Sequence, residues 1–413
     1  MKHINIKKNV DIFILPAEKF KTFSVSFHFL TELSQETVTK NALFPFVMKL
    51  GSKNYPNMLL MNRKLQELYG GYFDCRVRKK GDLHPVEFSF EFLAPKYSEA
   101  AQFDNCLDFM KEVLLNPKAE NGSFDEDILT REKENLTDYI NGVINDKKEY
   151  VSVRLIEEMF KGENFSLFEY GKIDDLEKID GENLYSHYKN VIDTAPLIIF
   201  ISGGIDEDKF KNAFNELFET ERPDISYGVI YDKSLDKPVI VEENADIVQG
   251  KFALGFKTGI TPQDEKYYAL TLFNSIFGSG PQSKLFMNVR EKMSLCYYVF
   301  SRLDRFKGIM TVSIGTDKEN FKKAYDEILN QLNMCKTGQI SEDELDFSKK
   351  YIINILKQAA DSQFSLSEFY LTGILAGKPI SEEKYIEQIE KLTIKDVMDA
   401  AKNITLETGY YLS

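Results

Sequence analysis

The chain reads as an α+β protein made of two duplicated halves, each an antiparallel sheet covered by helices on one face. Three observations predict this. Short stretches alternate polar and apolar residues, long helical patterns group between them, and the same order of elements is met twice. Strands that alternate in hairpin-like pairs argue for antiparallel pairing, because strands of a parallel sheet are buried on both faces and run apolar throughout.

In the first half, residues 10–15 and 23–29 are expected strands. The second places Phe23, Val25, Phe27 and Phe29 on one face and His28 on the other. Helical patterns follow at 39–50 and 61–69, then a strand at 86–92 with Val86, Phe88, Phe90 and Phe92 alternating. Helices are expected at 99–115, 125–144, 151–160 and 181–191, and a strand at 197–202 closes the half. The second half runs the same programme, with strands at 238–241 and 252–256. Thr261-Pro262 is expected to cap a helix with proline at its first position. That helix spans 263–277 and another spans 283–292. Met310, Val312 and Ile314 alternate, helices follow at 321–334, 342–360 and 365–376, and a strand at 408–412 ends the chain.

Short matches support the duplication. Glu177-Lys178-Ile179-Asp180 pairs with Glu390-Lys391-Leu392-Thr393, and Lys189-Asn190 with Lys402-Asn403, both 213 residues apart. Arg222-Pro223-Asp224 and Lys237-Pro238 interrupt both periods. Domains are therefore expected at 1–221 and 238–413, with a linker at 222–237.

At 413 residues and 43% hydrophobic, the chain has ample apolar surface for two cores. A net charge of −13 argues against nucleic acid, whose phosphates need clustered lysine and arginine. No apolar run approaches the roughly 18 residues of a membrane span, and Met1 to Lys8 carry no secretory pattern. A cytoplasmic location is expected. Cys75, Cys106, Cys296 and Cys335 are far apart with no C-x-x-C, which points to free thiols rather than a zinc knuckle or a redox pair.

Chemistry is sparse. The four histidines, His3, His28, His84 and His187, include no pair at helical spacing, and no G-x-S-x-G nucleophile motif is present. Gly278-Ser279-Gly280-Pro281 reads as a flexible loop between two helices. It lacks the lysine and hydroxyl ending of a phosphate loop, leaving a sharp helix–helix turn or a place where backbone comes close to a ligand.

The segment that follows carries a specific resemblance. Leu285, Phe286, Arg290, Glu291, Leu295 and Tyr297 match S-R-L-F…R-E-x-x-G-L-x-Y, with Lys284 in place of arginine and Ser294 in place of glycine. This resembles the second-half signature of the pitrilysin/insulinase family of zinc metallopeptidases, in the branch of the mitochondrial processing peptidases. The resemblance implies two related α+β halves enclosing a chamber. It also implies zinc bound by H-x-x-E-H on the helix after the second strand, with a third glutamate ligand later. Aligned at Gly51 those helix positions are Ala42, Pro45 and Phe46; aligned at the helix start they are Phe44, Val47 and Met48. No His, Asp or Glu occurs from Thr37 to Gln66, Glu132 takes the earlier of the two glutamate positions, and Tyr139 stands at the ligand position.

No metal is therefore expected in this chain. In some members of the family a zinc-less subunit works beside a zinc-bearing one. The resemblance then implies a related H-x-x-E-H partner holding the zinc, a peptide substrate, and hydrolysis only in the complex. Arg290 would grip a substrate carbonyl or carboxylate and Tyr297 would donate to the oxyanion, with Gly278 and Gly280 also at the substrate. The alternative is a catalytically dead pseudopeptidase that binds peptides or regulates.

Overall fold

The computed structural model describes residues 1–15, 19–225 and 237–413, so most of the expected linker lies outside the described residues. The chain forms two units. Unit 1 holds Met1–Asn141, Leu167–Tyr227 and Gln363–Ser367; unit 2 holds Gly142–Ser166, Gly228–Ser362 and Glu368–Ser413. Each unit takes a short segment from the other half of the sequence, an exchange that a cut at 222–237 does not foresee.

The strands of the first half are β1 (Lys2–Lys7), β2 (Val10–Leu15), β3 (Thr22–Phe29), β4 (Tyr72–Val77) and β5 (Val86–Leu93), the small hairpin β6 (Ala119–Glu120) and β7 (Ser123–Phe124), and β8 (Leu197–Ser202). The helices are α1 (Val38–Lys49), α2 (Met58–Glu67), α3 (Gln102–Leu115), α4 (Glu126–Asn145), α5 (Lys147–Met159), α6 (Ile173–Leu176), α7 (Gly181–Thr194) and α8 (Glu207–Ala213). Unit 1's sheet runs β1-β2-β8-β3-β5-β4. Pairing is antiparallel except between β2 and β8. That one parallel pair follows from the chain's return through helices, because a tight hairpin cannot join parallel strands.

The pleat sorts β3 as its alternation demands. Phe23, Val25, Phe27 and Phe29 pack with Phe88, Phe90 and Phe92 of β5 and with Leu43, Phe44 and Val47 of α1. The opposite face carries Ser24, Ser26 and His28, which are buried as well. There Arg76 forks onto Glu87 with two bonds of 2.7 Å, and Ser89 donates to the same carboxylate at 2.5 Å. Burial alone would raise the pKa of Glu87, but His28, Arg76 and Ser89 bring it down to about 2.

Unit 2 repeats the plan with β9 (Val239–Glu243), β10 (Gly250–Lys257), β11 (Tyr298–Asp304), β12 (Ile309–Thr316) and β13 (Thr405–Leu412). Its order is β11-β12-β10-β13-β9, with only β13 and β9 parallel. Matching β2, β3, β4, β5 and β8 to β9, β10, β11, β12 and β13 gives identical connectivity, so the duplication holds strand by strand. Its helices are α9 (Tyr267–Asn274), α10 (Phe321–Lys336), α11 (Glu342–Ala359), α12 (Gln363–Leu375), α13 (Glu382–Lys391) and α14 (Ile394–Ala401). The 213-residue match falls on two helix caps. Asp180 accepts from the Asn183 N–H at the start of α7, and Thr393 from the Asp396 N–H at the start of α14.

The expectation of helices on one face needs correcting for unit 2. Phe252, Leu254 and Phe256 of β10 face one core, while Ala253, Tyr410 and Leu412 face Val151 and Leu155 of α5 on the other side. Gly255 completes that second face, since a Cβ there would meet Met159 Sδ at 2.6 Å. Periodicity revealed the apolar stripe Val151-Leu155-Met159 but not the sheet it would meet. Reciprocally, Gln363 at the start of α12 donates to Thr22 Oγ1 at 2.8 Å within unit 1.

Two local expectations also fail. Thr261–Lys266 forms turns and the helix starts only at Tyr267, because Thr261 and Asp264 carbonyls are taken by successive turn bonds. Arg222 is not free linker. Its guanidinium is buried and donates to the Ala195 and Leu217 carbonyls. Among the described residues no helix is long and apolar enough to cross a membrane.

Candidate functional site

In unit 1 the helix that the resemblance assigns to zinc is α1. Ala42, Phe44, Pro45, Val47 and Met48 are all buried there, and Phe46 is half-buried. Under either alignment these are packing side chains with no lone pair to offer a metal. The Pro45 carbonyl instead accepts from Cys75 Sγ at 3.0 Å, and burial pushes that thiol far up, so it stays a protonated donor. Beside it the chain supplies its own cation, with Lys49 Nζ 2.5 Å from Asp74. Glu132 on α4 is buried and accepts from Asn135 at 2.9 Å. Burial raises its pKa, offset in part by Asn135, Arg131 and Lys49. Tyr139 lies against Tyr170, with ring centroids 4.4 Å apart and planes tilted by 50°. Among the described residues no three His, Cys, Asp or Glu side chains converge as a ligand set. The residues present do not fit zinc.

The fold does bring two histidines to one residue, which their spacing did not show. His187 Nε2 lies 2.7 Å from Asn41 Oδ1, and His84 Nδ1 lies 3.3 Å from Asn41 Nδ2. Thr31 orients the amide: its hydroxyl donates to the His84 carbonyl at 2.6 Å, so it accepts from Asn41 Nδ2 at 2.9 Å. Burial lowers both imidazoles to about 4, with Lys79 and His187 adding to the effect on His84 and Lys40 to that on His187. His187 is half-buried on α7. Its ring lies 5.9 Å from that of Phe44.

In unit 2 the region singled out as a glycine loop is a packed turn of π-helix, Ser275–Ser279, continuing α9. A Cβ at Gly278 would sit 2.6 Å from Ser301 Oγ, and one at Gly280 would sit 2.7 Å from the Ser275 carbonyl. Both glycines thus allow close approach of the chain to itself, which corrects the picture of a flexible loop. A second π-helical segment, Leu285–Lys292, buries Leu285 and Val289 and turns Arg290 outward. Such segments are rare and concentrate at functional sites. The chain then turns through Ser294, where φ is +50°, before the Tyr297 N–H bonds the Gly315 carbonyl at 2.8 Å at the start of β11.

Arg290 and Tyr297 are both on the surface. The Arg290 side chain is 42% exposed, its Nε is 3.7 Å from Glu291, and its guanidinium lies 4.8 Å from the Phe286 ring. Tyr297 is 52% exposed, and its hydroxyl donates to the two Asp317 oxygens at 3.2 and 3.3 Å. That hydrogen bond and the Asp317 charge raise the phenol's pKa, so it remains a neutral donor. No hydrogen bond joins Arg290 to Tyr297 among the described residues. Met287 and Met293 are exposed beside them in sequence and make that surface polarizable. Asp317 went unnoticed in the sequence, because only the β11–β12 register brings it to Tyr297. Burial pushes neighbouring Cys296 to about 11 despite the charge of Arg290.

A family description, the peptidase M16 inactive domain, matches residues 178–352. A protein of Bacillus subtilis (strain 168) called probable inactive metalloprotease YmfF is 35% identical over 97% of this chain and 94% of its own. Among solved structures, a conserved protein from Enterococcus faecalis V583 superposes with a TM-score of 0.93 at 31% identity, covering 100% of this chain and 98% of that one. The peptidase M16 inactive domain from Pseudomonas fluorescens gives 0.80 at 16% identity over 100% and 97%, a likeness of fold alone. The chain therefore belongs to the pitrilysin/insulinase (M16) family of zinc metallopeptidases, as a member of the inactive type without the H-x-x-E-H motif.

Proposed function

We propose that this chain is the zinc-less subunit of a heteromeric zinc peptidase, lending Arg290 and Tyr297 to a related zinc-bearing subunit that cleaves peptides. The observation that carries the reading is the contrast between the two sites. The motif positions on α1 are packing residues, while Arg290 and Tyr297 stay exposed, the guanidinium making no hydrogen bond among the described residues and the phenol donating to Asp317 at the surface. A guanidinium offers a planar two-pronged grip on a carbonyl or carboxylate. A neutral phenol can stabilise charge that develops on a scissile carbonyl oxygen.

The test is reconstitution. The chain is co-expressed with an H-x-x-E-H relative from the same organism, and cleavage of a peptide library is followed. Tyr297→Phe should lower kcat on the order of 100-fold, as for loss of one oxyanion donor, and Arg290→Ala should cost at least as much. Mutant complexes that cleave at the wild-type rate would end this reading.

One observation favours the second reading, a peptide-binding or regulatory pseudopeptidase. The Tyr297 hydroxyl already has Asp317 as an acceptor, and a donor so engaged serves binding without any reaction. On that reading the same peptides bind without a partner, and no partner confers cleavage.

A further inference from the structure

We propose that the bare edge of β9 is a docking strand for a second copy of this chain, the two β9 strands running antiparallel across a two-fold axis. The inference rests on no part of the peptidase reading. It starts from β1, the strand of unit 1's large sheet that has no counterpart in unit 2 among the described residues. In unit 1 the order β1-β2-β8 gives β2 a neighbour on each side. Its counterpart β9 stands at the end of its sheet and pairs with β13 alone. Burial follows the difference. Val10 and Ile12 of β2 are buried, whereas Val239 of β9 is 50% exposed and Ile240 is 41% exposed.

The strand is held in place while its outer side stays open. The Ser413 N–H donates to the Glu243 carbonyl at 3.0 Å, and the Ala245 N–H donates to the Ser413 carbonyl at 2.8 Å. The N–H and C=O of one residue point to the same side of a strand, and the side alternates from residue to residue. Val239, Val241 and Glu243 therefore bond toward β13, while the amides of Ile240, Glu242 and Asn244 face outward, where no other strand takes them among the described residues. Side chains fix the strand as well. Tyr150 donates to Glu243 at 3.1 Å, and Tyr410 donates to the same carboxylate. Ile240 lies over Gly409, where a Cβ would meet its Cδ1 at 2.6 Å. A fixed row of free donors and acceptors beside exposed apolar side chains is a template for a further strand.

The charges along the segment select the occupant. Lys237 stands just before β9, and Glu242, Glu243 and Asp246 stand toward its other end. Lys237, Glu242 and Asp246 are exposed, and none of them makes an ion pair among the described residues. Laid antiparallel on itself, the strand meets its own opposite charges, which is the self-complementarity a two-fold contact requires. An unrelated peptide has no such built-in match. Only outward residues can exchange hydrogen bonds with the second copy, so the register centred on Val241 pairs Ile240 with Glu242 of that copy, and the reverse. It also sets Val241 against Val241 and brings Lys237 diagonally beside Glu243, with no like charges directly opposite. The register centred on Glu242 would oppose two carboxylates. The contact is small and joins copies of net charge −13, so it forms only at high protein concentration.

Sedimentation equilibrium of the full chain from about 1 to 300 µM tests the assignment. The average mass is expected to rise from one chain toward two, and hydrogen exchange at the Ile240 and Glu242 amides to slow as it rises. Ile240→Pro removes an N–H that faces outward and leaves the β13 ladder whole. It should keep the chain monomeric at every concentration, with the circular dichroism spectrum unchanged. Lys237→Glu, at an exposed position outside the strand, should weaken the dimer at least tenfold, and it decides the matter if the proline variant does not fold. A chain that stays monomeric at the highest concentration overturns the proposal. So does a dimer that Lys237→Glu leaves as tight as before, because its contact then lies elsewhere. Equal protection of the two amides in the monomer overturns it too, since the same chain would then cover the edge.

Discussion

The histidine pair on Asn41 makes unit 1 sensitive to acid in a calculable way. Both imidazoles are neutral in the fold, with pKa values brought down to about 4 by burial first of all. In the unfolded chain each would titrate near 6.5. A base whose folded pKa is depressed stabilises the fold fully above its unfolded value and loses that contribution as pH falls toward the folded one. The window is therefore from about 6.5 down to 4. At about pH 5 an unfolded imidazole gains roughly 2 kcal/mol from protonation that a folded one with pKa near 4 does not share. His84 is fully buried and takes that value. His187 is only half-buried, and solvent screening reduces its share to about 1 kcal/mol. The fold should lose about 3 kcal/mol between about pH 7.5 and 5, a sizeable part of ordinary stability. Urea midpoints across that range measure the loss, and the ring-proton shifts of the four histidines report each pKa. His187→Gln, which keeps a donor toward Asn41, should remove the smaller share. Glu87 does not confuse the result. Its depressed pKa, about 2, gives stability that is present above about 4.5 and fails only as pH falls below that. A urea midpoint that stays level over the whole window, or His84 or His187 titrating near 6.5, would refute the reasoning.

Two further outcomes follow from the same geometry. After dialysis against micromolar zinc the purified chain should hold far less than one zinc per molecule, because α1 offers only packing side chains at the motif positions; a tightly held, stoichiometric zinc in metal analysis contradicts this. Ser294→Gly should raise thermal stability by about 1 kcal/mol, since serine is held at φ +50°, where an L side chain is strained and glycine is not; a lowered melting temperature would show the serine side chain to be needed there.

Much of this fold was legible as period and order. The alternation of β3 named the face that meets the core, and the 213-residue match fell on the caps of α7 and α14. What escaped depends on distance through space. β4 alternates Phe73, Cys75 and Val77 inward but is not among the expected strands, because charged Asp74 and Arg76 stand between its apolar residues. Nothing along the chain says that α5 packs on β10 and β13, because an amphipathic helix shows which side is apolar and not which partner takes it. The candidate site divides the same way. Arg290 and Tyr297 were legible only through the resemblance of their segment to a family signature, whereas Asp317, Asn41 and the unpartnered Ser275 acquire meaning only when strands and helices bring them alongside others.

The two halves also show why one site could be lost while another stayed. At α1 the motif positions Ala42, Phe44, Val47 and Met48 lie in the core of unit 1, so an apolar side chain there gains burial at once. With apolar residues at those positions there is no metal ligand to orient, and the Cys75–Pro45 hydrogen bond and the Lys49–Asp74 pair engage the polar atoms beside them. The Arg290 segment is different, because its two candidate side chains, Arg290 and Tyr297, are exposed and nothing in the core asks for them. Leu285 and Val289 hold the π-helical segment from beneath, and Leu295 is buried on the turn into β11. The packing residues of that stretch would fold equally well with lysine or serine at positions 290 and 297. On the function proposed above, an arginine and a tyrosine at those two exposed positions answer to chemistry outside this chain.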